Sequence, residues 1–107
     1  MKRILVAEDD AASRELIGEL LAAEGYSVEM AVDGRDALTR LQRGAPPDLV
    51  LLDIQMPQLD GYEVMRRLRR MPGFETLPVV AFTAYAMAGD SERALEAGFS
   101  GYITKPI

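Results

Sequence analysis

Residues 48–53 read Asp48-Leu49-Val50-Leu51-Leu52-Asp53, "DLVLLD". Four consecutive apolar residues, rich in Leu and Val, describe a short strand buried on both of its faces. A strand of that kind belongs to a parallel sheet with helices packed above and below it. Outward from this stretch the chain repeats the same alternation in both directions. Strands are expected at Arg3–Ala7, Ser27–Ala31, Leu49–Leu52, Leu77–Phe82 and Gly101–Ile103. Amphipathic helices are expected between them, at Ala12–Glu24, Gly34–Arg43, Gly61–Arg70 and Gly89–Ala97. In the first of these, Leu16, Ile17, Leu20 and Leu21 recur at helical spacing. Gly25, Gly44 and Gly98 follow three of the helices and read as left-handed closing residues. The third helix is stopped by Met71-Pro72-Gly73, because Pro cannot continue it.

Strict alternation of strand and helix requires right-handed crossovers, and so a doubly wound α/β sheet with helices on both faces. With 107 residues, 49% of them apolar and 27% charged, the chain makes one small globular domain. A net charge of −5 argues against direct nucleic-acid binding and favours a cation as ligand. There is no Cys and no His, which excludes disulfides, thiolate metal sites and imidazole catalysis. No apolar stretch approaches membrane-spanning length and the amino end shows no long apolar h-region, so a cytoplasmic location is expected.

The residues that follow the apolar runs carry the functional signal. Glu8 and Asp9 follow the first run, Asp53 the third, Thr83 the fourth and Lys105 the fifth. In an open parallel sheet all of these lie at the carboxyl edge, where ligands bind. Three carboxylates on one rim repel one another unless a hard cation and an ammonium group offset them, and Mg²⁺ suits such an oxygen-rich site. Singly, each has a blander reading. Asp10 and Asp60 are expected to cap the helices they precede, and Thr83 could do the same. "RRLRR", Arg66 to Arg70, reads as a solvated basic face around a buried Leu68. No GxGxxG or GxxxxGK[ST] pattern supports nucleotide binding.

Four motifs in order, "ILVAEDD", "DLVLLDIQMPQLDG", "VVAFTAYA" and "GYITKPI", make the chain resemble the receiver domains of two-component response regulators. The likeness spans essentially the whole chain and is strongest to chemotaxis-regulator-like domains, single-domain cell-cycle regulators and receivers of hybrid kinases. It implies a flavodoxin-like five-stranded sheet in the order 2-1-3-4-5. It implies that Asp53 accepts a phosphoryl group from a phosphohistidine donor. Asp9 would ligate Mg²⁺ directly, Glu8 through water, and Gln55 by its backbone carbonyl. Lys105 and Thr83 would hold the phosphoryl group, and Tyr102 would couple to the movement of Thr83. Gln55 and Tyr85 occupy positions that tune hydrolysis in such domains. The implied partners are a histidine kinase or phosphotransfer protein upstream and a protein effector downstream. The implied chemistry is limited to the domain's own phosphorylation and dephosphorylation, without turnover of another substrate.

Receivers of this type end with a fifth helix after the Lys-Pro pair, whereas this sequence stops at Ile107. A domain over residues 1–107 cut before that helix is therefore expected, with an apolar patch beside the first helix and self-association through it. The competing chemistry is a Mg²⁺-dependent phosphohydrolase of the haloacid-dehalogenase type, which also uses an Asp nucleophile and a Lys. Such enzymes carry a DxD pattern after the first strand, and "AEDDA" lacks it. A receiver-like module that only binds partners would have lost one of the acids, the Thr or the Lys, and all are present.

Overall fold

The computed structural model describes residues 2–56, 59–83 and 89–104. Its elements follow the expected order: β1 (Arg3–Ala7), α1 (Ala11–Ala23), β2 (Ser27–Ala31), α2 (Gly34–Gln42), β3 (Leu49–Asp53), α3 (Gly61–Arg69), β4 (Val79–Thr83), α4 (Asp90–Glu96) and β5 (Gly101–Thr104). All four strand pairings are parallel and give the order β2-β1-β3-β4-β5. β1 is flanked in the sheet by β2, the next strand in sequence, on one side and by β3 on the other. The crevice between β1 and β3 is thus the topological switch point, where ligands bind in open α/β sheets.

The "DLVLLD" stretch forms the centre of the molecule. Val50 and Leu52 are fully buried in the larger core, with Leu5, Ala7, Val79 and Ala81 from neighbouring strands and Val64, Met65 and Leu68 from α3. Leu51 joins Ile4, Val6 and Phe82 on the opposite face, beneath Ile17 of α1. Burial on both faces is what four apolar residues in succession require.

Three aspartates start three helices. Asp10 accepts from the Ser13 amide, Asp33 from the Asp36 amide and Asp60 from the Glu63 amide, each satisfying an orphan N–H of a first turn. The caps expected at Asp10 and Asp60 are therefore observed, and the sequence reading did not single out Asp33. Arg66 and Arg67 ion-pair with Glu63 one turn earlier, while Leu68, which follows them, is fully buried.

Some boundaries differ from the sequence expectation. β4 begins at Val79 because Pro78 precedes it, and it runs one residue further, to Thr83. Gly25 and Gly98 take left-handed φ values of 92° and 104° as expected, but Gly44 does not. α2 closes with Arg43 in the right-handed region, and the chain then has the longer stretch to Asp48 in which to turn back. No single-residue reversal is needed there.

The two faces of the sheet are covered unequally. α2, α3 and α4 pack on one side, and among the described residues only α1 packs on the other. Beside α1 runs a groove of about 230 Å³ lined by Ile4, Ile17, Leu20, Leu49, Leu51 and Ile103. Leu20 in its wall is 42% exposed, and Leu16 on the same helix is 50% exposed. The apolar patch expected beside the first helix is present.

Candidate functional site

Strand ends build the site. Each strand carries its last side chains to the carboxyl edge, and the central strands β1, β3 and β4 end side by side in the register Ala7↔Leu52 and Asp53↔Phe82. Glu8 follows β1 directly and its amide donates to the Ala31 carbonyl at 3.1 Å, which extends the sheet pairing by one residue. Glu8 and Asp53 are buried, at 1% and 3% exposure, and Thr83 at the end of β4 is completely enclosed. Asp9 is exposed at the mouth of the site.

One carboxylate oxygen from each of Glu8, Asp9 and Asp53 lies within 4.8 Å of the other two. The sequence-derived acids therefore converge, across the switch point. For two ionised carboxylates at that outer limit of 4.8 Å, an effective dielectric near 20 gives a repulsion of about 3.5 kcal/mol. Backbone donors meet part of this charge: the Asp10 amide donates to Glu8 Oε1 at 3.0 Å, and the Gln55 amide to Asp53 Oδ1 at 2.8 Å. An all-oxygen, acidic, partly open donor set fits a hard divalent cation and suits no soft or thiophilic metal. Gln55 itself is exposed in the loop after β3.

A close approach of backbone holds the Asp53 loop. A Cβ on Gly61 would stand 2.6 Å from Ile54 Cα and 2.7 Å from the Asp53 carbonyl oxygen. Only glycine allows α3 to begin this near the end of β3. The Gly61 amide donates to the Ile54 carbonyl at 3.3 Å and closes the turn. The Asp60-Gly61 pair had marked a helix start in the sequence; its second role, making room behind Asp53, was not read there.

Thr83 and Tyr102 sit on neighbouring strands, in the register Ala81↔Tyr102 and Thr83↔Thr104, so they project to the same side of the sheet. Tyr102 is half-buried against the larger core, and its hydroxyl is enclosed with no hydrogen-bond partner among the described residues. Burial, then the nearby Asp90 carboxylate and Tyr62, push its phenol pKa above the ordinary value near 10. Tyr62 contacts the edge of Phe99 at 5.8 Å between ring centres and carries the Arg93 guanidinium 5.4 Å above its face. The Tyr62 hydroxyl is likewise buried without a partner among the described residues. Lys105 and Tyr85, for which the sequence implies roles at this site, lie outside the described residues.

With this geometry in place, comparison with known proteins is decisive. Residues 4–107 match the response regulator receiver domain. The chain belongs to that family. The polar-differentiation response regulator DivK of Brucella anthropi is 40% identical over 106 residues, covering 99% of this chain and 85% of DivK. The chemotaxis protein CheY4 of Vibrio cholerae superposes with a TM-score of 0.92 at 27% identity, over 100% of this chain and 88% of CheY4. The receiver domain of a sensor histidine kinase of Pseudomonas aeruginosa, 35% identical, superposes with a TM-score of 0.89 over 99% of this chain and 86% of its own. That structure has a magnesium ion coordinated in its active-site cleft. The chain is accordingly a phosphoryl-accepting receiver of two-component signalling, a signalling module, with the flavodoxin-like fold. The phosphohydrolase alternative is not favoured, and the buried central acid ends β3, not β1. Among the described residues no helix is long and apolar enough to cross a membrane.

Proposed function

We propose that Asp53 is the phosphoacceptor and that Glu8, Asp9 and Asp53 form a Mg²⁺ site, with the Gln55 carbonyl as a further ligand. The observation that carries this reading is the convergence of three carboxylate oxygens within 4.8 Å at the switch point, beside the enclosed Thr83. Bound Mg²⁺ would supply charge neutralisation to the acids and to the phosphoryl oxygens. Asp53, held by the Gln55 amide, presents a carboxylate oxygen to phosphorus; the new O–P bond forms as the P–N bond to the donor imidazole breaks. Asp9 contributes direct ligation at the open side, and the buried Glu8 contributes charge and an acceptor for water. Lys105 pairs with Asp53 and then with the phosphoryl group, and Thr83 donates its hydroxyl to that group. Tyr102, on the same side of the sheet, responds to the position of Thr83 and transmits the state to the surface of α4 and β5.

The donor in this reading is a histidine kinase or phosphotransfer protein in the cytoplasm, and the recipient of the switched surface is a protein effector. The apolar groove beside α1 is read as a self-association face, checked by light scattering over a range of concentrations; a mass that stays monomeric throughout rejects it.

Intact mass after incubation with acetyl phosphate tests the central claim. One phosphoryl adduct is expected with Mg²⁺, none with EDTA, and none in Asp53→Asn. An adduct of equal yield in Asp53→Asn would reassign the acceptor.

A further inference from the structure

Arg14 has no role in the reading above, yet its placement is odd for a surface arginine. It stands in the opening turns of α1, whose first turn carries no acidic residue. A cation there opposes the positive end of the helix dipole, so helix stability does not account for it. Among the described residues its guanidinium forms no ion pair. Instead its Nη1 donates to two consecutive backbone carbonyls, that of Glu8 at 2.9 Å and that of Asp9 at 3.0 Å.

Both carbonyls lie past the last residue of β1, in the turn that leads into α1. Other bonds in this turn act elsewhere. The Glu8 amide reaches the Ala31 carbonyl, the Asp10 amide reaches Glu8 Oε1, and the Ser13 amide reaches Asp10 Oδ2. Among the described residues, Arg14 holds the two intervening peptide planes on their acceptor side. With both carbonyls drawn to one planar, half-buried group on α1, the side chains of the same two residues converge with Asp53. Both bonds leave the one nitrogen Nη1, whose two N–H directions are fixed in the guanidinium plane; the ammonium of Lys, on a stem one bond shorter and free to rotate, does not reproduce that reach and direction.

We propose that Arg14 is a positioning residue for the acidic pocket: its guanidinium clamps the Glu8 and Asp9 carbonyls and so sets the directions of the two carboxylates. The consequence for Mg²⁺ rests on the metal-site reading above; the clamp itself does not. Charge and geometry predict opposite signs here. If Arg14 mattered only as a nearby positive charge, removing it would tighten cation binding. If it positions the acids, removing it weakens binding, and Lys does not restore it.

The experiment compares the full chain with Arg14→Met and Arg14→Lys, all ¹⁵N-labelled. In EDTA, exchange of the Asp10 amide with solvent is expected to be about tenfold faster in both variants, because the turn opens more often. Unchanged exchange in both overturns the proposal. In a Mg²⁺ titration followed by amide shifts, both variants are expected to bind roughly tenfold more weakly, at the low end for an outer-sphere partner. Tighter binding in Arg14→Met, or wild-type affinity in Arg14→Lys, also overturns it. If the wild type shows no Mg²⁺-dependent shifts, the metal-site reading fails and the exchange result alone decides the role of Arg14.

Discussion

Substituting Asn for Asp53 is expected to stabilise the metal-free protein. In the folded state Asp53 is 3% exposed and its carboxylate lies within 4.8 Å of that of Glu8, itself 1% exposed. Their repulsion at that distance is about 3.5 kcal/mol at an effective dielectric near 20, and it largely vanishes in the unfolded chain, where both are solvated. Asn keeps the shape and can still accept from the Gln55 amide, 2.8 Å away in the wild type. That bond then loses its charge assistance, which costs about 1 kcal/mol. Loss of attraction to neighbouring cationic and polar groups reduces the gain further. The expected net stabilisation is therefore about 1–2 kcal/mol, or a rise in Tm of roughly 5–10 °C for a domain near 100 residues.

The assay is thermal unfolding by circular dichroism in EDTA at low ionic strength, with Glu96→Gln as a control. Glu96 is exposed on α4, so its substitution changes net charge by the same single unit away from the pocket. The control is expected to stay within about 0.5 kcal/mol of wild type. Saturating Mg²⁺ should then reverse the ranking, since a ligand at 100 times its Kd contributes about 2.7 kcal/mol to the state that binds it. An Asp53→Asn protein no more stable than wild type in EDTA refutes the claim that the pocket stores repulsion. A stabilisation shared by Glu96→Gln would assign the effect to net charge instead.

Three further outcomes are expected. Gly61→Ala should destabilise by about 1–3 kcal/mol, because the new Cβ meets backbone of Ile54 and Asp53 at 2.6 and 2.7 Å; a denaturant midpoint unchanged from wild type would contradict the close approach. Tyr102→Phe removes an enclosed hydroxyl without a described partner, so it should leave stability at neutral pH unchanged or raise it by up to about 1 kcal/mol. Because the folded-state phenol pKa is raised, its contribution is complete below the unfolded value near 10 and is lost as pH rises beyond it. Wild type should thus lose stability in that alkaline window faster than Tyr102→Phe, and parallel pH profiles would count against the burial of this group. Asp9→Ala should abolish Mg²⁺-dependent amide shifts while the fold persists, and a titration like that of wild type would remove Asp9 from the ligand set.

Much of this molecule is local in origin, and that part was readable. Consecutive burial at Val50–Leu52, helical spacing in α1 and capping by Asp10 and Asp60 each depend on a few neighbouring residues. The acids of the pocket were readable for a topological reason: in a parallel sheet every strand delivers its next residues to the same edge, so Glu8, Asp9, Asp53 and Thr83 are brought together by strand direction alone. What escaped depends on distance between elements. Gly44 looked like Gly25 and Gly98, but the length of the path to β3 removed the need for a left-handed residue. Gly61 looked like part of a helix start, and its contact with Asp53 is set by the packing of α3 on β3. Asp33 caps α2 as Asp10 and Asp60 cap their helices, by accepting from the amide three residues on, and that local signal was equally legible in the sequence.

The same distinction explains how a marginal domain can carry a pocket that opposes its own folding. Repulsion among the acids is concentrated at the edge of the sheet, whereas Val50, Leu52, Val64 and Leu68 are fully buried behind it. Their burial keeps the domain folded while the charge state of the edge raises or lowers its stability, so the pocket can change charge without unfolding the domain. The turns after β1 and β3 must then be held by groups that do not themselves change charge during phosphoryl transfer. Backbone amides of Asp10 and Gln55, the close-packed Gly61 and the carbonyl clamp of Arg14 are all of that kind. In the reading proposed above, a cation or a phosphoryl group would relieve repulsion at fixed geometry, and Thr83 and Tyr102 would carry the movement.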